Sequence, residues 1–264
     1  MSHRTNIPVS VVIPAYNEAQ TISAVLAALL PVGQVAQIIV VDDGSTDDTG
    51  HLARQTCACD SRFRLVRQAR NAGKARAMLA GAHLAEHEVV LFLDADLIGV
   101  KPDHIRSLAA PVAQGKVEMA IARFSGGRRQ TDWSHRLTPF LSGQRCLRWS
   151  RFAGMPGFAE AGWSIEVGLT LHARRQGYAV AWVAWPGVTH RMRPEKRPGL
   201  AGYWSHLRMW ADIARYLLHQ TRHGPSPVSG RTSCHAGRPQ LGGLCPAQPY
   251  HLHLPHLHKS TQDR

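Results

Sequence analysis

Asp94 and Asp96 close an otherwise apolar run, "EVVLFLDADL". Two carboxylates at the exit of a buried strand cost desolvation energy unless a cation meets them. Residues two apart in an extended segment point to the same side, and small Ala95 leaves room between the acids. Such a pair suits a hard divalent ion, Mg²⁺ or Mn²⁺, that keeps positions open for further oxygens. Capping or surface aspartates can have the same spelling, so D-x-D alone is a weak signal. Lys74 and the carboxylates and hydroxyls of "DDGSTDDT", which could bind ribose or base, strengthen it, and two further residues stand out by type and place. "NAGKARA" sets Lys74 beside a helix start, where backbone N–H groups and an ammonium can meet phosphate charge. Glu166 lies in an apolar helical segment, "WSIEVGL", where an unpaired charge is expensive. A functional carboxylate explains it better than a solvated face. His190 follows an apolar strand in a loop flanked by Gly and Arg, where a neutral imidazole can ligate a metal. In a chain with 16 histidines, a surface histidine is the plain alternative.

The segments that must carry these groups alternate in type. Val9–Ile13, Ile38–Val41, "FRLVRQ", "EVVLFLDADL", "VEMAIARF" and "YAVAWVAW" read as strands. Helices follow the first at Asn17 or Glu18 and the second at Thr46 or Asp47. "NAGKARAMLAGAHLA", "PDHIRSLAAPVAQG" and "EAGWSIEVGLTLHARRQG" are further helices. Uniformly apolar strands alternating with helices predict a mostly parallel sheet covered on both faces, an α/β Rossmann-like architecture. Ligands bind such sheets at the carboxyl ends of the strands. "PAYNE", "DDGSTD" and "DADL" all fall there. Residues 125–158 read as a long basic loop, and "PGVTHRMRPEKRP" as a second. A helix over Gly202–Gln220 carries an apolar stripe, and the Pro-, Gly- and His-rich stretch 223–264 reads as a disordered tail. The expected organisation is one domain over 1–222, with a nucleotide half near 8–122 and an acceptor half near 123–222.

The chain has 264 residues and a formal charge of +13. That charge suggests an anionic partner: nucleic acid, a membrane surface or a phosphorylated substrate. From Arg123 to Arg151 there are seven arginines and one acid, Asp132. They gather in loops, and no nucleic-acid motif accompanies them. The five cysteines match no zinc spacing and read as free thiols of a reducing cytoplasm. No apolar run reaches the ~20 residues that span a bilayer, and the N-terminus reads as a first strand, not a signal peptide.

"VSVVIPAYNEAQTI", "IIVVDDGSTDDT", "RNAGKARAM" and "VVLFLDADL" together resemble the nucleotide-sugar half of a family 2-type glycosyltransferase of GT-A fold. The resemblance implies that Asp96 is a metal ligand, that Asp94 and Ala95 belong to the donor site, and that Pro14, Ala15, Glu18, Asp43 and Lys74 line the nucleotide pocket. "LSGQR", "GWSIEVGLTLHA" and "GVTHRMRP" resemble features of glucosyl-3-phosphoglycerate synthase-like transferases. Those features imply an acceptor loop with Ser142, Gly143 and Arg145, a functional Glu166, and His190 completing the metal site. Arg191 and Arg193 would help at the diphosphate or grip the acceptor.

The expected activity is metal-dependent transfer from a UDP- or GDP-sugar to an anionic acceptor. That acceptor is a small phosphorylated or carboxylated molecule, or a polyprenyl phosphate reached by peripheral contact with the inner membrane face. Lys74, Asp96 and Glu166 are the expected catalytic set, with Glu166 as general base or as sugar-positioning group. A catalytically inactive sugar-nucleotide-binding protein is the alternative, and a basic nucleic-acid-binding protein a more distant one. Homodimerisation stays open.

Overall fold

A computed structural model describes residues 7–125, 143–158 and 165–191. Four strands form first along the chain: β1 (Val9–Ala15), β2 (Val35–Asp42), β3 (Phe63–Arg67) and β4 (Val89–Phe92). Their Val and Ile content suits a pleated layer buried on both sides. Between them run α1 (Ile22–Leu29), α2 (Thr49–Thr56) and α3 (Lys74–His83). After β4 come the short β5 (Leu97–Ile98), α4 (Pro102–Ala113) and β6 (Met119–Ser125). The second half supplies β7 (Arg145–Arg148), the single turn α5 (Trp149–Phe152), α6 (Ile165–Arg175), β8 (Val180–Pro186) and β9 (Thr189–His190).

Seven strands make one sheet in the order β3-β2-β1-β4-β7-β6-β8, and β5 pairs with β9 in a separate ribbon. β1 is parallel to β2 and β4, β2 to β3, and β6 to β8. β7 alone runs antiparallel, between β4 and β6. The sheet is thus mostly parallel, as the sequence predicts. One apolar layer joins it to α1 and α4 through Val25, Leu26, Leu29, Ile105, Leu108 and Val112. The other joins it to α3, α5 and α6 through Met78, Ala82, Phe152, Ile165 and Leu169. Among the described residues no helix is long and apolar enough to cross a membrane.

Two expectations need correction. Residues 145–152 are not loop: "RCLR" is a central strand, and Cys146 and Leu147 are fully buried in it. Its arginine-rich spelling hides its place, because Arg145 is buried with its own partners. The first two helices also start later than expected. Asn17 turns left-handed at φ 57°, a conformation that Asn tolerates, and the Glu18 carbonyl accepts from the amides of Thr21 and Ile22 at 3.1 and 3.0 Å. Ahead of α2, Asp42 Oδ1 accepts from the Ser45 amide at 2.8 Å and Asp47 Oδ1 from the Thr49 amide at 3.0 Å. These side-chain turns hold residues 43–48 outside the helix. Gly202–Gln220, with Trp204 and Trp210, and the 223–264 stretch lie outside the described residues.

Candidate active site

Parallel pairing brings the carboxyl ends of β1, β2 and β4 to one edge. Ala15 lies opposite Asp42 and Val12 opposite Phe92, and the Leu93 amide donates to the Val12 carbonyl at 3.0 Å. The chain leaves β4 through Asp94, Ala95 and Asp96, then pairs as β5 with β9, with Leu97 opposite His190. The Arg191 amide donates to the Asp96 carbonyl at 3.0 Å. This ribbon delivers His190 to a carboxylate 94 residues earlier: His190 Nδ1 lies 3.0 Å from Asp96 Oδ1. Phe124 packs against the His190 ring with centroids 5.1 Å apart, and Trp185 stacks behind Phe124. Burial pushes the His190 pKa down, but the hydrogen bond and charge of Asp96, with the charge of Asp94, outweigh it and leave the pKa raised.

Ligand atoms of Asp94, Asp96 and His190 lie within 4.8 Å of one another. Neighbouring ligands on an octahedral ion with bonds near 2.1 Å stand about 3 Å apart, and opposite ones about 4.2 Å. The Asp96–His190 separation already meets the first figure, and the rest of the triangle stays within 4.8 Å. Two carboxylates and an imidazole are also the donors that Mg²⁺ or Mn²⁺ accepts. The residues present fit such an ion.

Asp94 is engaged from two further sides. Lys74 Nζ stands 2.7 Å from Asp94 Oδ1 and 2.7 Å from Glu166 Oε1. Gln144 Nε2 donates to Asp94 Oδ2 at 2.8 Å. Burial disfavours the ammonium, yet the charges of Asp94 and then Glu166 more than compensate, so the Lys74 pKa is raised and the group stays charged. Gly143 roofs this pair. A Cβ there would fall against Asp94 Oδ2 and 2.7 Å from Lys74 Nζ.

The structure brings Lys74, Asp94, Asp96, Gly143, Glu166 and His190 together. Glu166, at 4% exposure, sits in the first turn of α6. Pro14, Ala15 and Glu18 follow at the end of β1, with Ala15 2% exposed and its carbonyl accepting from the Asp43 amide at 2.8 Å. Ala95 is 3% exposed. Arg191 contributes its backbone clip to Asp96. Ser142 and Arg193 lie outside the described residues.

Arg145 departs from its expected place in an acceptor loop. It is fully buried in β7, and its Nη1 donates to Thr170 Oγ1 at 2.8 Å. Thr170 in turn donates to the Glu166 carbonyl at 2.9 Å. Burial drives the guanidinium pKa down to about 10, against the opposing pull of Glu166 and Asp94. Arg145 therefore backs the carboxylates from inside and is not exposed to grip a ligand. Arg148 reaches the Val112 carbonyl at 3.5 Å, and Arg151 lies over the Tyr178 ring. Of the four described arginines in this stretch, only Arg123 is exposed without such an assignment. Gln144 and Thr170 were not expected as site residues. Gln144 stands inside "LSGQR", but its role depends on a strand that the sequence does not announce.

A mostly parallel sheet with acidic strand ends, a D-x-D exit and a histidine returned by a ribbon gathers a candidate metal site at one sheet edge. Residues 10–166, more than half of the chain, match Glycosyl transferase family 2, and the chain belongs to that family. It is 35% identical over 130 residues to an undecaprenyl-phosphate 4-deoxy-4-formamido-L-arabinose transferase of Pseudomonas savastanoi, covering 47% of this chain and 38% of that protein. It is 30% identical over 133 residues to an N-acetylglucosaminyltransferase of Sinorhizobium fredii, covering 49% and 32%. The chain thus spans less than two fifths of the length of these two relatives.

In structure it is similar to glucosyl-3-phosphoglycerate synthase from Mycobacterium tuberculosis. The complex of that enzyme with Mn²⁺, UDP and glucosyl-3-phosphoglycerate gives a TM-score of 0.62 at 26% identity, covering 81% of this chain and 79% of that one. Its complex with Mg²⁺ and UDP gives 0.58 at 26% identity, covering 79% and 80%. The fold is GT-A.

Proposed function

We propose that the protein is a metal-dependent glycosyltransferase that moves a sugar from a nucleoside-diphosphate sugar to an anionic acceptor. The Asp94–Asp96–His190 triangle beside a half-buried, charged Lys74 carries this reading. Asp96 and His190 would hold Mg²⁺ or Mn²⁺, which when bound supplies Lewis-acid neutralisation of a leaving diphosphate. Lys74 adds a fixed positive charge, preorganised by Asp94 and Glu166, where negative charge develops. Glu166, from the acceptor half, orients Lys74 at 2.7 Å.

The solved relative's complexes contain UDP, which makes a uridine nucleotide the first donor to test. Relatives whose names refer to undecaprenyl phosphate and phosphoglycerate support an anionic acceptor. The burial of Arg145 shifts acceptor contact toward Arg191 and the residues that follow it.

The test is a thermal-shift series with UDP and GDP, each with and without Mn²⁺, on the parent chain and on His190→Ala. A ligand held only by the folded state raises its stability by mass action. Metal-dependent stabilisation by one nucleotide, lost in His190→Ala, is expected. Equal stabilisation of both chains without metal refutes the metal assignment. Transfer assays with a phosphoglycerate and with a polyprenyl phosphate then separate the two acceptor classes.

A further inference from the structure

Four rings touch in succession from the start of α4 to His190. His104 stacks on Trp185 with centroids 5.3 Å apart and planes at 26°. Trp185 stacks on Phe124 at 6.1 Å and 16°, and Phe124 meets the His190 ring at 5.1 Å and 48°. The sheet builds the middle of this series, because Phe124 lies beside Trp185 in the parallel β6–β8 register. Both are buried, Trp185 completely. The indole Nε1 has no hydrogen-bond partner among the described residues, so the ring acts there through its faces. His104 anchors the far end. Its Nδ1 accepts from the Lys101 amide at 3.1 Å, and the ring also hydrogen-bonds the Pro186 backbone.

We propose that Phe124, backed by Trp185, is a positioning residue that presets the His190 imidazole for the metal. β9 has two residues, and so short a ribbon directs the backbone without fixing a side-chain rotamer. The imidazole is held instead by Asp96 Oδ1 at 3.0 Å from its Nδ1 and by the Phe124 ring against it. Aromatic rings attract at centroid separations of about 4.5–7 Å, and all three contacts fall in that range. The turn into β9 is confined as well. The Gly187 amide donates to the Ser125 carbonyl at 2.9 Å. Gly187 turns left-handed at φ +73°, and a Cβ on Gly99 would stand 2.6 Å from its carbonyl oxygen. Rings and turn together leave the imidazole little freedom to lose when an ion arrives, and a group ordered in advance binds more tightly. Surroundings that orient a metal-binding histidine are worth about 10–100-fold in metal affinity. The proposal rests on the metal-site reading given above.

Phe124→Leu keeps an apolar side chain but removes the flat face, whereas Trp185→Phe keeps a face and drops the unpaired N–H. Mn²⁺ affinity is read from the paramagnetic resonance signal of the free ion, with and without UDP. It should fall on the order of tenfold in Phe124→Leu and stay near the parent value in Trp185→Phe. His190→Ala lowers the affinity by itself, and Phe124→Leu should add nothing in that background. A Phe124→Leu chain that binds Mn²⁺ as the parent does overturns the proposal, and so does an equal loss with and without His190. Urea unfolding of the parent, Phe124→Leu, His190→Ala and the double variant reads the contact without metal. The cost of Phe124→Leu should shrink when His190 is absent, and strictly additive costs overturn the proposal. A parent chain that takes up no Mn²⁺ in either condition refutes the metal-site reading, while the unfolding cycle still decides whether Phe124 holds His190.

Discussion

Gly143→Ala is a one-methyl test of the site's construction. The added carbon would fall against Asp94 Oδ2, 2.7 Å from Lys74 Nζ and 2.8 Å from Asp94 Cγ. None of these neighbours has room to retreat, because Lys74 is fixed by two carboxylates and Asp94 by Lys74 and Gln144. Either the approach to β7 shifts or the Lys74–Asp94 contact opens. Overpacking of this kind costs about 1–3 kcal/mol. For a domain of roughly 150–250 residues that lowers the unfolding midpoint by about 2–12 °C. Gly33→Ala is the control, since a Cβ there meets nothing within 4 Å and should be neutral or stabilising by under about 1 kcal/mol. Differential scanning calorimetry of the two variants, followed by UDP titration with Mn²⁺, reads both effects. A Gly143→Ala chain that matches Gly33→Ala in midpoint and in UDP affinity refutes the close roof over Lys74.

Three other outcomes follow from the same geometry. Arg145→Met removes a buried cation facing Glu166 and Asp94, so urea unfolding should show a loss of about 3–5 kcal/mol; a loss under about 1 kcal/mol means that the carboxylates do not depend on it. His104 stacks on Trp185, and its burial, aided by Lys101, pushes its pKa below the ordinary imidazole range. The unfolded chain therefore binds that proton more readily, stability falls as pH drops below about 6.5, and His104→Gln should flatten that part of the profile. Burial raises the Cys57 thiol to about 11, whereas Cys59 is exposed; native-state alkylation followed by peptide mapping should label Cys59 well before Cys57.

The parallel strands and the three acidic strand ends are legible because both are local. Apolar runs declare β1, β2 and β4, and the residues after each run are polar by necessity at a sheet edge. Lys74, Asp94 and Glu166 stand out because a charge beside apolar sequence demands a partner. β7 is hidden because its signal is relational. Arg145 in a central strand reads as a loop residue until Thr170 and the carboxylates behind it are in place. The carry-over of Asp43 to the nucleotide pocket does not anticipate that its two oxygens also accept from the Ala72 and Gly73 amides. Such a contact between backbone and side chain leaves no pattern in residue types. The β5–β9 ribbon escapes notice because each strand has two residues, too few for a periodicity.

β7 also imposes an order of assembly. β3, β2, β1 and β4 come from residues 9–92 and pair among themselves. The free side of β4 waits for residues 145–148, with Val90 meeting Leu147 across more than fifty residues of chain. Long closures are slow to form, and an apolar strand edge left open is a template for pairing with other chains. The late strand carries Gln144 and Gly143 at its start, so the interval in which the sheet is open is the interval in which Asp94 lacks its finished surroundings. A chain arrested before residue 143 would hold the D-x-D exit and Lys74 without α6 and Glu166, and would present β4 to its neighbours. The Gln144 contact to Asp94 and the covering of the β4 edge therefore arrive in one event, the docking of a four-residue strand.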